Sequence, residues 1–138
     1  MIQEFGVINF YSIKNEQKIS FVPTQDGTQA ENYFHEVKPG VNLLKIGIIY
    51  GSNASGKSNM LMALDFFHDL MLSVPQDRMS KIEGYAPFLL DDTSRNETCK
   101  MRLVFWLDRE RYIHEIEFDD KRIYKADFLR QSATNDII

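Results

Sequence analysis

The chain has 138 residues, 43% hydrophobic and 26% charged, which suits one globular domain with its own core and excludes disordered and fibrous classes. Sixteen Lys and Arg stand against twenty Asp and Glu, and a net charge of −4 is the wrong sign for a surface built mainly to bind nucleic acid. The single cysteine, Cys99, excludes an intramolecular disulfide, points to a reducing compartment and reads as a small buried apolar residue. The N-terminus lacks the basic-then-apolar order of a signal peptide, and no run of about 18 apolar residues offers a membrane span. The expected address is the cytoplasm.

Residues 2–13 (IQEFGVINFYSI) alternate in part, with Phe5, Val7 and Asn9 on one face and Ile8 and Phe10 on the other, which predicts a first strand. A polar turn at 15–18 leads to a short second strand at 18–22 (KISFV). Residues 23–40 carry Pro23, Gly27, Pro39 and Gly40 and read as a surface loop holding a short segment around Tyr33, Phe34 and Val37. Residues 43–50 (LLKIGIIY) are almost continuously apolar, the pattern of a strand buried on both faces of a parallel sheet. A loop follows over 51–56, then a helix from Lys57 to Val74, stopped by Pro75. Its apolar positions, Met60, Leu61, Ala63, Leu64, Phe67, Leu70, Met71 and Val74, recur at helical spacing and predict a broad face against a sheet. Beyond an irregular stretch at 75–97, strands at 99–107, 111–118 and 122–129, with tight turns at 108–110 and 119–121, form an antiparallel meander. The whole reads as one α/β domain over 1–138. Its parts are N-terminal strands (1–50), a loop and helix (51–74), and a loop with the meander (75–138). The tail from Gln131 to Ile138 has no stop signal and reads as cut short.

One motif carries chemistry. Residues 51–58 (GSNASGKS) fit G-x-x-x-x-G-K-[ST] in full, between an apolar run and a helix. Gly51 frees a sharp turn off the strand, and Gly56 permits close approach of backbone to phosphate. Amides of about Asn53 to Ser58, through Ala54 and Ser55, form an anion nest to which the helix N-terminus adds positive potential. Lys57 is the expected catalytic cation at the β- and γ-phosphates, and the Ser58 hydroxyl the expected Mg²⁺ ligand. The implied ligands are ATP and Mg²⁺, bound by Gly51, Asn53, Ala54, Ser55, Gly56, Lys57, Ser58 and Asn59. A small phosphotransferase or GTPase could share the loop, but guanine selection ordinarily uses N-K-x-D, which is missing from the sequence. The meander also disfavours a compact doubly wound kinase.

The loop in its setting, YGSNASGKSN, stands behind an N-terminal FGVINFYSIK and ahead of MLMALDFF and PFLLDD. In that order these parts resemble the N-terminal lobe of ABC-type ATPase heads of the SMC and DNA-repair kind. Within that group they resemble most the bacterial AAA-type ATP-binding proteins of abortive infection, anti-phage defence and OLD-like nuclease systems. The resemblance covers most of the chain. It implies a P-loop NTPase fold with a mixed sheet and an antiparallel β subdomain. It also implies head-to-head dimerisation around nucleotide, slow ATP hydrolysis and a downstream effector or DNA partner. In such relatives the first hairpin approaches the adenine or ribose, and Ser12 and Lys14 are the matching residues. The chain departs from the pattern in having no LSGG-like signature and no switch His, so it reads as an N-terminal piece of a longer protein, with self-association expected through an open sheet edge.

Other candidates are weaker. Leu103 to Asp108 (LVFWLD) fits an apolar run ending in an acid, which would make Asp108 a Walker B residue and Glu110 a water-orienting one; the following strand favours a hairpin turn instead. Gln131 stands as a Q-loop glutamine or an exposed strand end. His35, His68 and His114 show no ligand spacing, and the pairs Asp91–Asp92 and Asp119–Asp120 read as solvated loop acids.

Overall fold

The computed structural model describes residues 1–24, 30–72 and 82–131. Its main layer is a five-stranded sheet of β1 (Ile2–Ile8), β2 (Gln17–Ser20), β5 (Cys99–Leu107), β6 (Glu110–Phe118) and β7 (Ile123–Gln131), in the order β2-β1-β5-β6-β7. Every neighbouring pair is antiparallel. The N-terminal hairpin and the meander are thus one sheet, joined where β1 pairs with β5. At the 108–109 turn Asp108 (φ 51°) and Arg109 (φ 67°) both take positive φ, as a two-residue hairpin loop with the twist of its flanking strands requires.

Between these strands lie a one-turn helix α1 (Ala30–Tyr33), a small hairpin of β3 (Phe34–Lys38) with β4 (Val41–Leu44), and the long helix α2 (Lys57–Leu72). The segment expected around Tyr33, Phe34 and Val37 is therefore a helical turn and a strand, reversing at Gly40, whose φ of 80° few other residues accept. The expected helix end at Val74 and Pro75 lies outside the described residues.

Helix α2 lies across one face of the sheet. Met60, Ala63 and Phe67, at i, i+3 and i+7, are buried against Phe5, Val7, Met101, Ile116 and Phe118. Phe67 meets Phe5 edge-on at 5.8 Å between ring centroids, and Phe66 stacks on Phe118 at 5.5 Å. Cys99 is fully buried in this cluster, and burial pushes its thiol pKa far up, so it is packing and not chemistry. The buried stripe is narrower than the sequence pattern suggested: Leu61 and Met71 are exposed. Phe10, assigned to the face away from Phe5 and Val7, is also in the core, because the chain leaves strand geometry at Asn9 (φ 57°) and swings the next side chain inward.

The sheet's other face mixes a buried Val104–Ile113 pair with a row of charges. Strand alternation puts Arg102 there, where it bonds Glu4 and Glu115 at 2.9 Å each. Lys125 extends the row to Asp127 at 2.9 Å. At the start of β1 the Trp106 indole N–H donates to Gln3 Oε1 at 2.7 Å, and the Trp106 amide donates to the Met1 carbonyl at 2.8 Å.

The run 43–50 is the main correction. Only its first two residues belong to a strand, β4, and that strand is antiparallel to β3. Residues 45–50 have no regular structure, and Ile46, Ile48, Ile49 and Tyr50 are exposed, Ile48 at 82% and Tyr50 at 89%. An apolar run becomes a doubly buried strand only with strands on both sides and layers above and below. Among the described residues no strand runs beside 45–50, so the parallel part of the expected mixed sheet is not formed; the fold is α/β with antiparallel sheets alone.

Candidate functional site

The site is built where the connection after β1 and the start of β2 meet the segment 48–52 and the start of α2, with the strap 84–98 bracing the β1 turn from outside the lining. After β1 the chain makes a two-residue reversal closed by a Phe10–Ile13 bridge, with Phe10 N–H donating to Ile13 O at 2.9 Å and the return bond at 2.8 Å. Tyr11 at its centre takes φ 50°. Asn9 fixes the turn to the strap. Its amide nitrogen donates to the carbonyls of Ser94 and Glu97 at 2.9 Å each, and its Oδ1 accepts from Phe88 N–H at 2.8 Å. Asn9 is 1% exposed, so these bonds satisfy a buried amide that would otherwise carry a desolvation cost. Tyr11 adds two bonds, from its N–H to Ala86 O at 2.8 Å and from its hydroxyl to Gly84 O at 3.2 Å.

The glycine-rich loop wraps the start of α2. Lys57, the first helical residue, folds its ammonium back over the loop and donates to Gly51 O at 2.9 Å, Ser52 O at 2.6 Å and Ser55 Oγ at 3.3 Å. Gly56 holds φ 89°, and a Cβ there would stand 3.5 Å from Ser12 Oγ, so the loop and the β1 turn approach closely where no side chain intervenes. Ala54 holds φ 63°, uncommon for a residue with a side chain. Asn59, one turn into α2, donates its amide to Ser12 Oγ and ties the helix to the β1 turn.

Between them lies an open cleft of about 810 Å³. Of the residues singled out in the sequence, Gly51, Ser55, Gly56 and Lys57 line it, and so do Ser12 and Lys14 from the hairpin. Asn53, Ala54, Ser58 and Asn59 lie outside its lining. The expected nest of amides is incomplete in this arrangement, because Ser55 N–H is turned to Ser52 O at 3.3 Å. Ser58 is exposed in the first turn of α2.

The remaining candidates lie elsewhere. Asp108 forms the β5–β6 turn, Glu110 pairs with Arg130, and Gln131 accepts from Arg111 across β6 and β7; none of these lines the cleft. His35 and His68 are exposed, and His114 is buried between Phe67 and Phe128, which lowers its pKa through desolvation. Among the described residues no cluster of His, Cys, Asp or Glu could hold a metal ion.

Two loop acids are structural, contrary to their solvated reading. Asp119 caps its turn through Lys121 and Arg122 N–H and accepts the Tyr124 hydroxyl at 2.7 Å, which lowers its pKa. Asp91 accepts from Ser94 N–H at 2.7 Å and Thr93 Oγ at 3.0 Å, and faces the Lys14 ammonium at 2.5 Å. The ion pair raises the Lys14 pKa and, with the Ser94 and Thr93 bonds, holds the Asp91 carboxyl far below the usual range. Asn9 and Asp91 are the residues that sequence reasoning missed. A polar residue closing the alternating face of β1 was the one available signal for Asn9.

A scan of protein-family models matches none to this chain, and no curated protein is significantly similar to it. Among the described residues no helix is long and apolar enough to cross a membrane.

Proposed function

We propose that the chain is the nucleotide-binding lobe of an ABC/SMC-like ATPase that takes Mg-ATP at the loop 51–58. The observation that carries this reading is the Lys57 ammonium lying across the mouth of a glycine-rich loop at the N-terminus of a 16-residue helix. A polyphosphate calls for such a cation together with the positive end of a helix dipole. The cleft of about 810 Å³ lies within the usual range of small-molecule sites. Lys57 and Gly56 fit the phosphates of such a ligand. Phosphate oxygens would replace the three loop oxygens on Lys57, and the Ser58 hydroxyl, which lies outside the cleft lining, would have to turn toward them to take Mg²⁺. Bound Mg²⁺ would neutralise charge on the phosphate oxygens; Lys57 orients the chain of phosphates and Gly56 gives them room.

No Asp or Glu among the described residues lines the cleft. Activation of water for hydrolysis is therefore assigned to groups outside it, in a second head of a homodimer or in further chain. The same observation favours a second reading, in which nucleotide only gates dimerisation without turnover. A cytoplasmic role in phage defence, acting through an effector protein or DNA, belongs to the resemblance and stands as part of this proposal.

The test is Mg-ATP binding and phosphate release by the chain and by Lys57→Ala. Loss of a charge-assisted contact of this kind predicts at least about tenfold weaker binding in the variant. Equal binding by both proteins would overturn the assignment. Binding without phosphate release would select the gating reading, and GTP competing as well as ATP would reopen the GTPase alternative.

A further inference from the structure

The cleft gathers three lysines in a chain that is acidic overall, two of them paired with carboxylates that stand behind the lining. Its lining contains Lys14, Lys18 and Lys57 and no carboxylate among the described residues, against a net charge of −4 for the whole sequence. Lys57 is held by the loop, and Lys18 lies 3.3 Å from Glu16. Lys14 is held differently. Its ion-pair partner among the described residues, Asp91, stands on the strap, and that carboxylate is itself fixed by Ser94 N–H and Thr93 Oγ. The strap is in turn fastened to the start of the Lys14 turn through Asn9, whose own N–H donates to Lys14 O at 3.2 Å. Both ends of the Lys14 side chain are thus anchored, while the side chain stays 48% exposed at the cleft.

We propose that Asp91 is a positioning residue that holds the Lys14 ammonium at the cleft as a second cationic contact for the phosphate chain of a bound nucleotide. The inference rests on the nucleotide-site reading and adds to it a second wall, opposite in origin to the loop. An ammonium has three N–H donors. One meets Asp91, which leaves two for ligand oxygens. A lysine fixed in this way loses less side-chain freedom on binding than a free one.

Asp91→Asn isolates the ion pair. The asparagine oxygen can still accept from Ser94 N–H and Thr93 Oγ, so the turn is kept and only the charge is lost. Affinities for Mg-ATP and for adenosine are measured on the wild-type chain, Lys14→Met, Asp91→Asn and the double variant, alongside Lys57→Ala and melting curves. The expected result is about tenfold weaker Mg-ATP binding for Lys14→Met, about three- to fivefold weaker for Asp91→Asn, and a double variant no weaker than Lys14→Met. Adenosine affinity and melting temperature stay unchanged. Losses that multiply in the double variant, an Asp91→Asn protein that binds as wild type, or equal losses for adenosine and ATP would each overturn the inference. In those cases the Lys57→Ala result still stands by itself. Wild-type protein that binds no ATP, or Lys57→Ala that binds as well as wild type, would overturn the site reading and this inference together.

Discussion

The five-stranded sheet and the segment 45–56 treat the same kind of residue in opposite ways. In the sheet, Phe5, Val7, Met101 and Phe118 are almost wholly covered by α2 and by each other. In the segment, Ile46, Ile48, Ile49 and Tyr50 are as apolar and stay in contact with water. The sheet pairs its strands with antiparallel neighbours, three of them hairpin partners close in sequence and one, β1 with β5, about 100 residues apart. The segment has the composition of a core strand but, among the described residues, no strand beside it, and it leads directly into the phosphate-type loop. Stability and the candidate site are therefore carried by different parts of the chain, joined at two places: α2, which packs with one face and starts the loop with its end, and the Asn9 turn.

The largest test of this division is Phe67→Ala. Removing a ring that is 2% exposed should lower stability by about 3–5 kcal/mol in urea unfolding, enough to unfold sheet and site together. Next is Asn9→Ala, which strands the Phe88 N–H and the Ser94 and Glu97 carbonyls. A loss of about 2–3 kcal/mol is expected, with protease cleavage appearing first within the strap 84–98. If the strap stays protected, the two regions are not joined there. The smallest effect belongs to Ile48→Ser. At 82% exposure its stability change should stay within about 0.5 kcal/mol, and a larger loss would mean that the segment is packed after all.

How far the sequence was legible follows the range of the forces involved. The meander strands were readable because alternation and short turns are local, and Asp108–Arg109 forms a hairpin because only two residues separate paired Leu107 and Glu110. The start of α2 was equally plain from the glycine-rich loop and the spacing of Met60, Ala63 and Phe67. The run 43–50 misled because an apolar pattern records what a segment can bury, and not whether a partner is at hand. Asn9 and Asp91 were hidden for another reason. Asn9 bonds residues 79 to 88 positions away, and Asp91 reaches Lys14 across a similar gap, so the partners that give each its role are not neighbours in sequence. The same holds for the cleft: the loop was visible in sequence, while the lysine-bearing wall opposite became visible only when the hairpin was placed beside it.

The sole tryptophan gives the fold an internal reporter. Trp106 sits at the Met1 end of β1, bonded to Gln3, while the part of the cleft formed by Ser12 and Lys14 lies beyond the other end of that strand. A seven-residue strand separates the two by roughly 20 Å. Indole emission will therefore follow whether the first strand is seated between its neighbours and stay silent when the cleft fills. A single optical signal can then time assembly of the sheet in the presence of any ligand, free of interference from the binding event itself.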